Sequence, residues 1–170
     1  MVSEKLMKDL NEQIRFEYES AHYYLAMAAY CDAEDLPGFA DFFKVQAEEE
    51  RFHAMKFYNF VNDMDGRVTI GKLNEPKNDY TSVLEVFESA LEHERKVTER
   101  IYKLMDTATE EREHATISML KWFIDEQVEE ENSMKDIIAR LKRLGDNSHG
   151  LYMMDKELGQ RTFTPPANEE

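Results

Sequence analysis

Two long stretches of this chain contain no helix-breaking residues, which limits the folds that it can adopt. No glycine or proline occurs from Met1 to Leu36 or from Asn78 to Leu144. Within both stretches, apolar residues recur at alternating spacings of four and three, which is the period of a helix with one buried face. Alternating strand patterns do not occur in the sequence. The sequence therefore predicts an all-α fold built from long helices.

Breaks in this pattern divide the chain into four long helices and a short fifth one. Ser82, with Glu85 three residues later, forms a capping-box pattern that starts the third helix. The polar window 106–114 marks a turn between the third and fourth helices. Only the connection between the second and third helices is long, so these two can run parallel in a four-helix bundle with one crossover. The helices are expected at about 3–32, 37–64, 81–108, 113–144 and 151–158.

Length and composition limit the organisation and the partners of the chain. The 170 residues fit one domain, and we assign residues 1–162 to the bundle and its short helix and residues 163–170 to a disordered tail. The 36 acidic residues outnumber the 21 basic ones and give a net charge of −15. Such a field repels phosphate backbones, so we expect no nucleic-acid partner.

Cysteine usage and hydropathy indicate the compartment. The single cysteine excludes a disulfide within the chain and a four-thiolate metal centre. No apolar run approaches the roughly 20 residues of a membrane span. The N-terminus is charged from Glu4 and lacks the apolar stretch of a signal peptide. We therefore expect a soluble cytoplasmic protein with no membrane partner.

A carboxylate interrupts the buried stripe of each long helix, near its middle in three helices and somewhat past it in the fourth. Helices of similar length packed side by side bring these residues to about one height, and His53 shares a face with Glu50. Unpaired carboxylates in an apolar interior each cost on the order of several kcal/mol, and no arginine or lysine lies on the stripes. A pair of cations relieves this cost, and oxygen ligands with one imidazole suit iron or manganese. A polar core with only a structural role is the alternative. The four carboxylates are Glu17, Glu50, Glu94 and Glu130.

A glutamate from each of two helices, with Glu-x-x-His on a third, is the ferritin-like di-iron pattern. From about residue 3 to residue 160, the chain resembles prokaryotic-type non-haem ferritins. The resemblance rests on four stretches, which are EYESAHYYL from Glu17, EEERFHA from Glu48, EHE from Glu92 and WFIDEQVEEE from Trp122.

The resemblance implies two irons in each subunit. One iron would be bound by Glu17, Glu50 and His53. The second would be held by Glu50, Glu94 and Glu130, with Glu50 bridging the two.

Two more residues are expected beside this pair. The resemblance places Gln127 close to the second iron. Tyr24 lies one heptad after Glu17, so its phenol either joins a redox step or is an ordinary core tyrosine.

Related ferritins also have a third, inner iron site. It maps onto Glu49, Glu126, Glu129 and Glu130. Glu126 and Glu129 share a helix face, as such a site requires, although a solvated acidic face has the same pattern.

This sequence differs from three other ferritin-like families, which leaves the non-haem ferritins as the family that it resembles. Bacterioferritins carry a second Glu-x-x-His where this chain has Gln127 and Glu130, and a haem-binding methionine where it has Arg51. Haem is therefore not expected. Rubrerythrins add a cysteine-rich iron domain, which the single cysteine of this chain excludes. The DNA-binding mini-ferritins bind iron between subunits, whereas the ligand set expected here is complete within one chain. We expect the four remaining histidines at the surface, namely His22, His93, His114 and His149.

The function that the resemblance implies is iron storage with ferroxidase activity. Fe²⁺ would be oxidised by O₂ or peroxide and stored as a ferric oxyhydroxide mineral inside a hollow homo-oligomer of 24 subunits. The short fifth helix would pack at the four-fold axes of this shell. A soluble di-iron peroxidase or oxidase that stores no mineral uses the same ligands and is the alternative.

Overall fold

The computed structural model describes residues 2–165, and all regular secondary structure in this range is helical. The break inside the long third segment falls within the polar window predicted for it, and the short helix begins three residues earlier than expected. Within the described range, no helix combines the length and the apolarity needed to cross a bilayer. The all-α prediction is confirmed. The helices are α1 (Glu4–Ala33), α2 (Pro37–Asp63), α3 (Val83–Glu110), α4 (His114–Leu144) and α5 (Ser148–Leu158).

Side-chain caps explain where most of the helices begin. Ser3 Oγ accepts a hydrogen bond from the Leu6 amide at 3.0 Å and so caps α1. Ser82 Oγ accepts from the Glu85 amide at 3.1 Å and caps α3, as the sequence predicts. The carboxylate half of that capping box is shifted by one residue, because Glu85 accepts from the Thr81 amide at 2.6 Å. These bonds satisfy amides that a helix start leaves without partners.

The start of α2 is capped by another helix. Pro37 is its first residue, and the preceding residue supplies no side-chain cap. Instead, the Phe39 amide donates to Asp155 Oδ1 of α5 at 2.9 Å. A Cβ atom on Gly38 would lie 1.7 Å from the Asp155 carbonyl oxygen, so only glycine allows this approach. The short fifth helix is therefore fixed to the beginning of α2.

The connection between α2 and α3, residues 64–82, runs along α1. Asn11 anchors its first part, because Asn11 Oδ1 accepts from the Thr69 amide at 2.7 Å. Glu19 anchors its later part, because Glu19 Oε2 accepts from the Asn74 amide at 3.1 Å. The connection thus follows the direction of α1 and returns the chain to the opposite end of the bundle. α3 then runs parallel to α2, and the predicted crossover is confirmed.

The apolar core consists of two separate clusters, one in each half of the bundle. The cluster that includes the N-terminal part of α2 contains Tyr24, Phe39, Phe43, Phe87 and Met134. The cluster in the other half contains Leu10, Ile14, Phe57, Ile101 and Phe123. Buried polar side chains fill the space between them, and these side chains form the candidate site.

The segment that follows α5 lies against the bundle. Phe163 packs edge-on against Phe52 of α2, with ring centroids 5.7 Å apart. Of the tail predicted for residues 163–170, the last five residues lie outside the described range.

Replacing Gly38 tests the close contact between α2 and α5. We expect Gly38→Ala to destabilise the protein by about 2 kcal/mol, because the new methyl group overlaps backbone that cannot move without displacing α5. Hydrogen exchange of the α5 amides and the thermal midpoint measure this change. Gly71→Ala is the matched control, since its Cβ meets only the flexible Arg15 side chain. Equal midpoints for the two variants would contradict the contact.

Candidate metal centre

The four stripe glutamates are all buried in the layer between the apolar clusters. Glu17 and Glu94 are 0% exposed, Glu50 is 1% exposed and Glu130 is 6% exposed. His53 joins them from α2 at 3% exposure. Since each of the four long helices contributes one carboxylate, the layer spans the whole cross-section of the bundle.

Three of these residues form a compact group of potential metal ligands. Glu17, Glu50 and His53 each offer one ligand atom within 4.8 Å of the others. His53 Nδ1 lies 3.6 Å from Glu50 Oε2. In the described part of the chain, two buried side-chain oxygens have no hydrogen-bond donor, and they are Glu17 Oε2 and Glu50 Oε2. Buried polar atoms are normally paired, so these two oxygens and the imidazole fit a cation.

Glu94 is held by hydrogen bonds to both of its carboxylate oxygens. The Tyr24 hydroxyl donates to Oε1, and Gln127 Nε2 donates to Oε2 at 2.9 Å. Gln127 Nε2 also lies 3.2 Å from the Glu94 carbonyl oxygen. Tyr24 and Gln127, both singled out by the sequence analysis, therefore contact a predicted iron ligand directly and fix its position.

One oxygen of Glu130 is held by Gln46, a residue that was not predicted to belong to the site. Gln46 Nε2 donates to Glu130 Oε2 at 2.8 Å. Gln46 is fully buried, four residues before Glu50 on the same face of α2. A polar residue on a buried stripe was the signal that could have identified it.

Two further links connect these amides to arginines. Arg100 Nε donates to Gln13 Oε1 at 2.9 Å, and Gln13 Nε2 donates to Glu17 Oε1 at 2.7 Å. Arg161 Nη1 donates to the Gln46 side-chain oxygen at 2.6 Å. Each series of hydrogen bonds runs from a guanidinium through an amide to a carboxylate. Arg100 thus orients Glu17, and Arg161 orients Glu130, without direct contact. Nothing in the sequence indicated either arginine.

Burial and mutual repulsion raise the pKa values of these carboxyl groups. Burial raises the pKa of Glu17 well above its usual range, and the nearby Glu50 charge adds to this shift. Burial also raises the pKa of Glu50, with further increases from Glu94 and Glu130. For Glu130, burial and then the charge of Glu94 raise the pKa to about 8. The protein without metal therefore holds protons in the layer near neutral pH.

The residues predicted for a third site lie at the edge of the layer. Glu49 and Glu126 are partly buried, and Glu129 is exposed. The Glu49 carboxylate forms an ion pair with Arg161. Burial raises the pKa of Glu49, the charge of Arg161 opposes this shift, and the charge of Glu126 adds a smaller increase.

The prediction that His93 lies at the surface is wrong. His93 is only 6% exposed, and its Nε2 atom lies 2.7 Å from Ser20 Oγ. The ring stacks on Phe16 with centroids 5.3 Å apart, and burial lowers its pKa to about 4. The cause is that α1 packs against α3, which buries a wider arc of α3 than the heptad stripe alone.

Comparison with known proteins now identifies the family. Residues 7–144 match the family profile described as Ferritin-like domain. The chain belongs to the ferritin family. It is 49% identical to the bacterial non-heme ferritin of Staphylococcus aureus strain USA300 over 163 residues, which cover 96% of this chain and 98% of that ferritin.

Solved ferritin structures agree over nearly the whole chain. One described as a humanized archaeal ferritin superimposes with a TM-score of 0.96 at 42% identity and covers 97% of this chain and all (100%) of its own. An open-pore ferritin from the hyperthermophilic archaeon Archaeoglobus fulgidus gives 0.94 at 42% identity, covering 95% of this chain and 100% of its own. The bundle with a short fifth helix is thus the ferritin fold.

The pH dependence of stability tests the protonated carboxyl layer. Native Glu130 keeps its proton up to about pH 8, whereas an unfolded glutamate loses it near pH 4.3. The native state binds more protons in this window, so stability without metal falls as pH rises from about 5 to about 8. We expect Glu130→Gln to reduce this fall in the thermal midpoint.

Glu48→Gln is the control for that experiment, since Glu48 is exposed on α2 and the substitution makes the same side-chain change outside the buried layer. A pH profile that Glu130→Gln leaves as steep as in Glu48→Gln would contradict the assignment.

Proposed function

We propose that this ferritin-family protein oxidises Fe²⁺ at a di-iron site inside each subunit and stores the product as a ferric oxyhydroxide mineral. Membership of the ferritin family supports iron as the metal and storage as the purpose. One observation carries the site assignment: Glu17 and Glu50 each direct an unpaired, buried carboxylate oxygen into a group that also contains His53. Two carboxylate oxygens and one imidazole match the ligand preference of iron.

The first Fe²⁺ would bind at Glu17, Glu50 and His53. The second would bind at Glu50, Glu94 and Glu130, with Gln127 beside it. The hydrogen bonds that now engage Glu94 and Glu130 keep these carboxylates inside the layer, so they need little movement to meet a cation. Such preorganisation lowers the cost of forming the site.

The oxidation balances with either oxidant. Two Fe²⁺ ions give up one electron each, and O₂ takes both electrons and two protons to become hydrogen peroxide. With peroxide as the oxidant, the same two electrons and two protons yield two water molecules. Each Fe³⁺ then reacts with two waters to form FeOOH and releases three protons. The protein binds and orients the ions, and the metal supplies the redox chemistry.

Cation binding must also release protons from the layer. Since burial holds the pKa values of Glu17 and Glu50 above their usual range, these carboxyls ionise when a cation replaces their protons. In the protein without metal, burial and then the charge of Glu94 raise the pKa of Tyr24 well above its usual range, so its hydroxyl keeps the proton that it donates to Glu94.

Storage requires an assembly, and the surface of the subunit supports one. Large apolar side chains are exposed on α1 and on α5, namely Leu25 at 45%, Tyr152 at 58% and Met153 at 53%. Exposed apolar groups of this kind favour protein contacts. The proposal is a cytoplasmic homo-oligomer with the 24 subunits that the resemblance implies, in which α5 packs against its symmetry copies. The inner carboxylates Glu49, Glu126 and Glu129 would take iron from the pair toward the cavity.

Removing a ligand tests the ferroxidase assignment. Glu50→Ala and His53→Ala are each expected to slow Fe²⁺ oxidation by at least about 100-fold, because each deletes a group that contacts iron. Stopped-flow absorbance of ferric species measures the rate. Anaerobic binding is followed by the fluorescence of the only tryptophan, Trp122, whose ring centroid lies 5.4 Å from that of His53.

Glu48→Gln is the control, since it removes one charge from an exposed position of the same helix. Light scattering should give the same assembly size for all variants. Unchanged oxidation by both alanine variants would overturn the site. Oxidation of about two irons per chain by a wild-type protein that forms only a small oligomer, with further iron precipitating outside it, would instead favour a di-iron peroxidase or oxidase that stores no mineral.

A further inference from the structure

Arg161 reaches from the segment after α5 into the edge of the carboxylate layer. Its side chain is 26% exposed and forms an ion pair with Glu49. The other terminal nitrogen, Nη1, donates to Gln46 Oε1 at 2.6 Å. Its Cζ atom lies 4.5 Å from the centroid of the Phe42 ring. All three contacts are made to one face of α2, and they use both the charge and the plane of the guanidinium.

The backbone around Arg161 is fixed on both sides. Before it, α5 is anchored to the start of α2 by the Asp155 cap on Phe39. After it, Phe163 packs against Phe52, which lies thirteen residues, or about three and a half turns, beyond Phe39 on α2. The intervening segment therefore follows α2 toward the site, and Arg161 is held beside Glu49 by its anchors.

The position of Arg161 puts it in competition with a cation at the inner cluster. Glu49 is one of the carboxylates proposed to take iron from the di-iron pair, and Arg161 engages its Oε2 atom. An arginine stays charged at all accessible pH values. A metal ion that uses the same carboxylate must either displace this guanidinium or bind beside a like charge, and both lower its affinity.

We propose that Arg161 is a tethered counter-ion of the inner carboxylate cluster, Glu49, Glu126 and Glu129. While no metal is bound, the guanidinium pairs with Glu49, and it keeps the affinity of the cluster for iron low. This inference rests on the proposed function. Low affinity lets iron pass through the cluster to the cavity and leaves the di-iron pair as the tight site. Through Gln46, the same arginine also positions Glu130, which both sites share.

Anaerobic calorimetric titration of the metal-free protein with Fe²⁺ tests this role without turnover. We expect two tight sites per chain in the wild type. In Arg161→Gln, a third site should bind on the order of tenfold more tightly than in the wild type, because a neighbouring positive charge is lost. Arg161→Lys keeps the charge and should resemble the wild type. Anomalous scattering from iron-soaked crystals should show added occupancy at Glu49 in Arg161→Gln alone.

Arg140→Gln is the matched control, since Arg140 pairs with Glu157 at 2.6 Å on the exposed face between α4 and α5. An unchanged third site in Arg161→Gln would overturn the inference, and so would an equal gain in Arg140→Gln, which would reflect net charge alone. If the wild-type protein showed no two tight sites per chain, that result would overturn the proposed function and this inference with it.

Discussion

The structure depends on a layer of buried carboxylates that divides the core into two apolar halves. The four glutamates come from four different helices, so the layer forms only when the whole bundle has assembled. Their mutual repulsion and burial oppose folding, and two of their oxygens have no protein partner. Protons relieve part of this cost in the metal-free protein, and cations relieve more. The carboxylate layer therefore lowers the stability of the metal-free protein, and a bound cation would raise it.

The surrounding residues decide which part of this layer is ready for metal. Hydrogen bonds from Tyr24 and Gln127 satisfy Glu94, and Gln46 satisfies one oxygen of Glu130. By contrast, Glu17 and Glu50 each keep one unpaired oxygen. In the proposed di-iron site, the first cation would meet unpaired oxygens, whereas the second would exchange hydrogen bonds for metal contacts. Such outer contacts commonly tune metal sites as strongly as the ligands themselves.

The sequence predicted the helices, the crossover and the buried carboxylates because all of these follow from local periodicity. Glu17 and Glu50 could be recognised since a charge on an apolar stripe is visible in the sequence. Gln46 carried the same signal, which was not used. Arg161 could not be predicted, because its place depends on how α5 docks through Asp155 and Gly38, a tertiary contact with no periodic pattern. His93 was misjudged for a related reason, since the width of a buried arc depends on which helices pack together.

The proposed function has two parts, since each subunit would bind iron as a pair and the assembly would store it. The most direct measurement is aerobic titration of the metal-free protein with Fe²⁺ after its assembly has been sized by light scattering. We expect rapid oxidation up to about two irons per chain, then slow loading of hundreds of irons into a shell of about 480 kDa, the mass of 24 subunits of 20.1 kDa. Iron that precipitates outside the protein beyond the first pair would contradict storage, and the absence of stoichiometric binding would contradict the site.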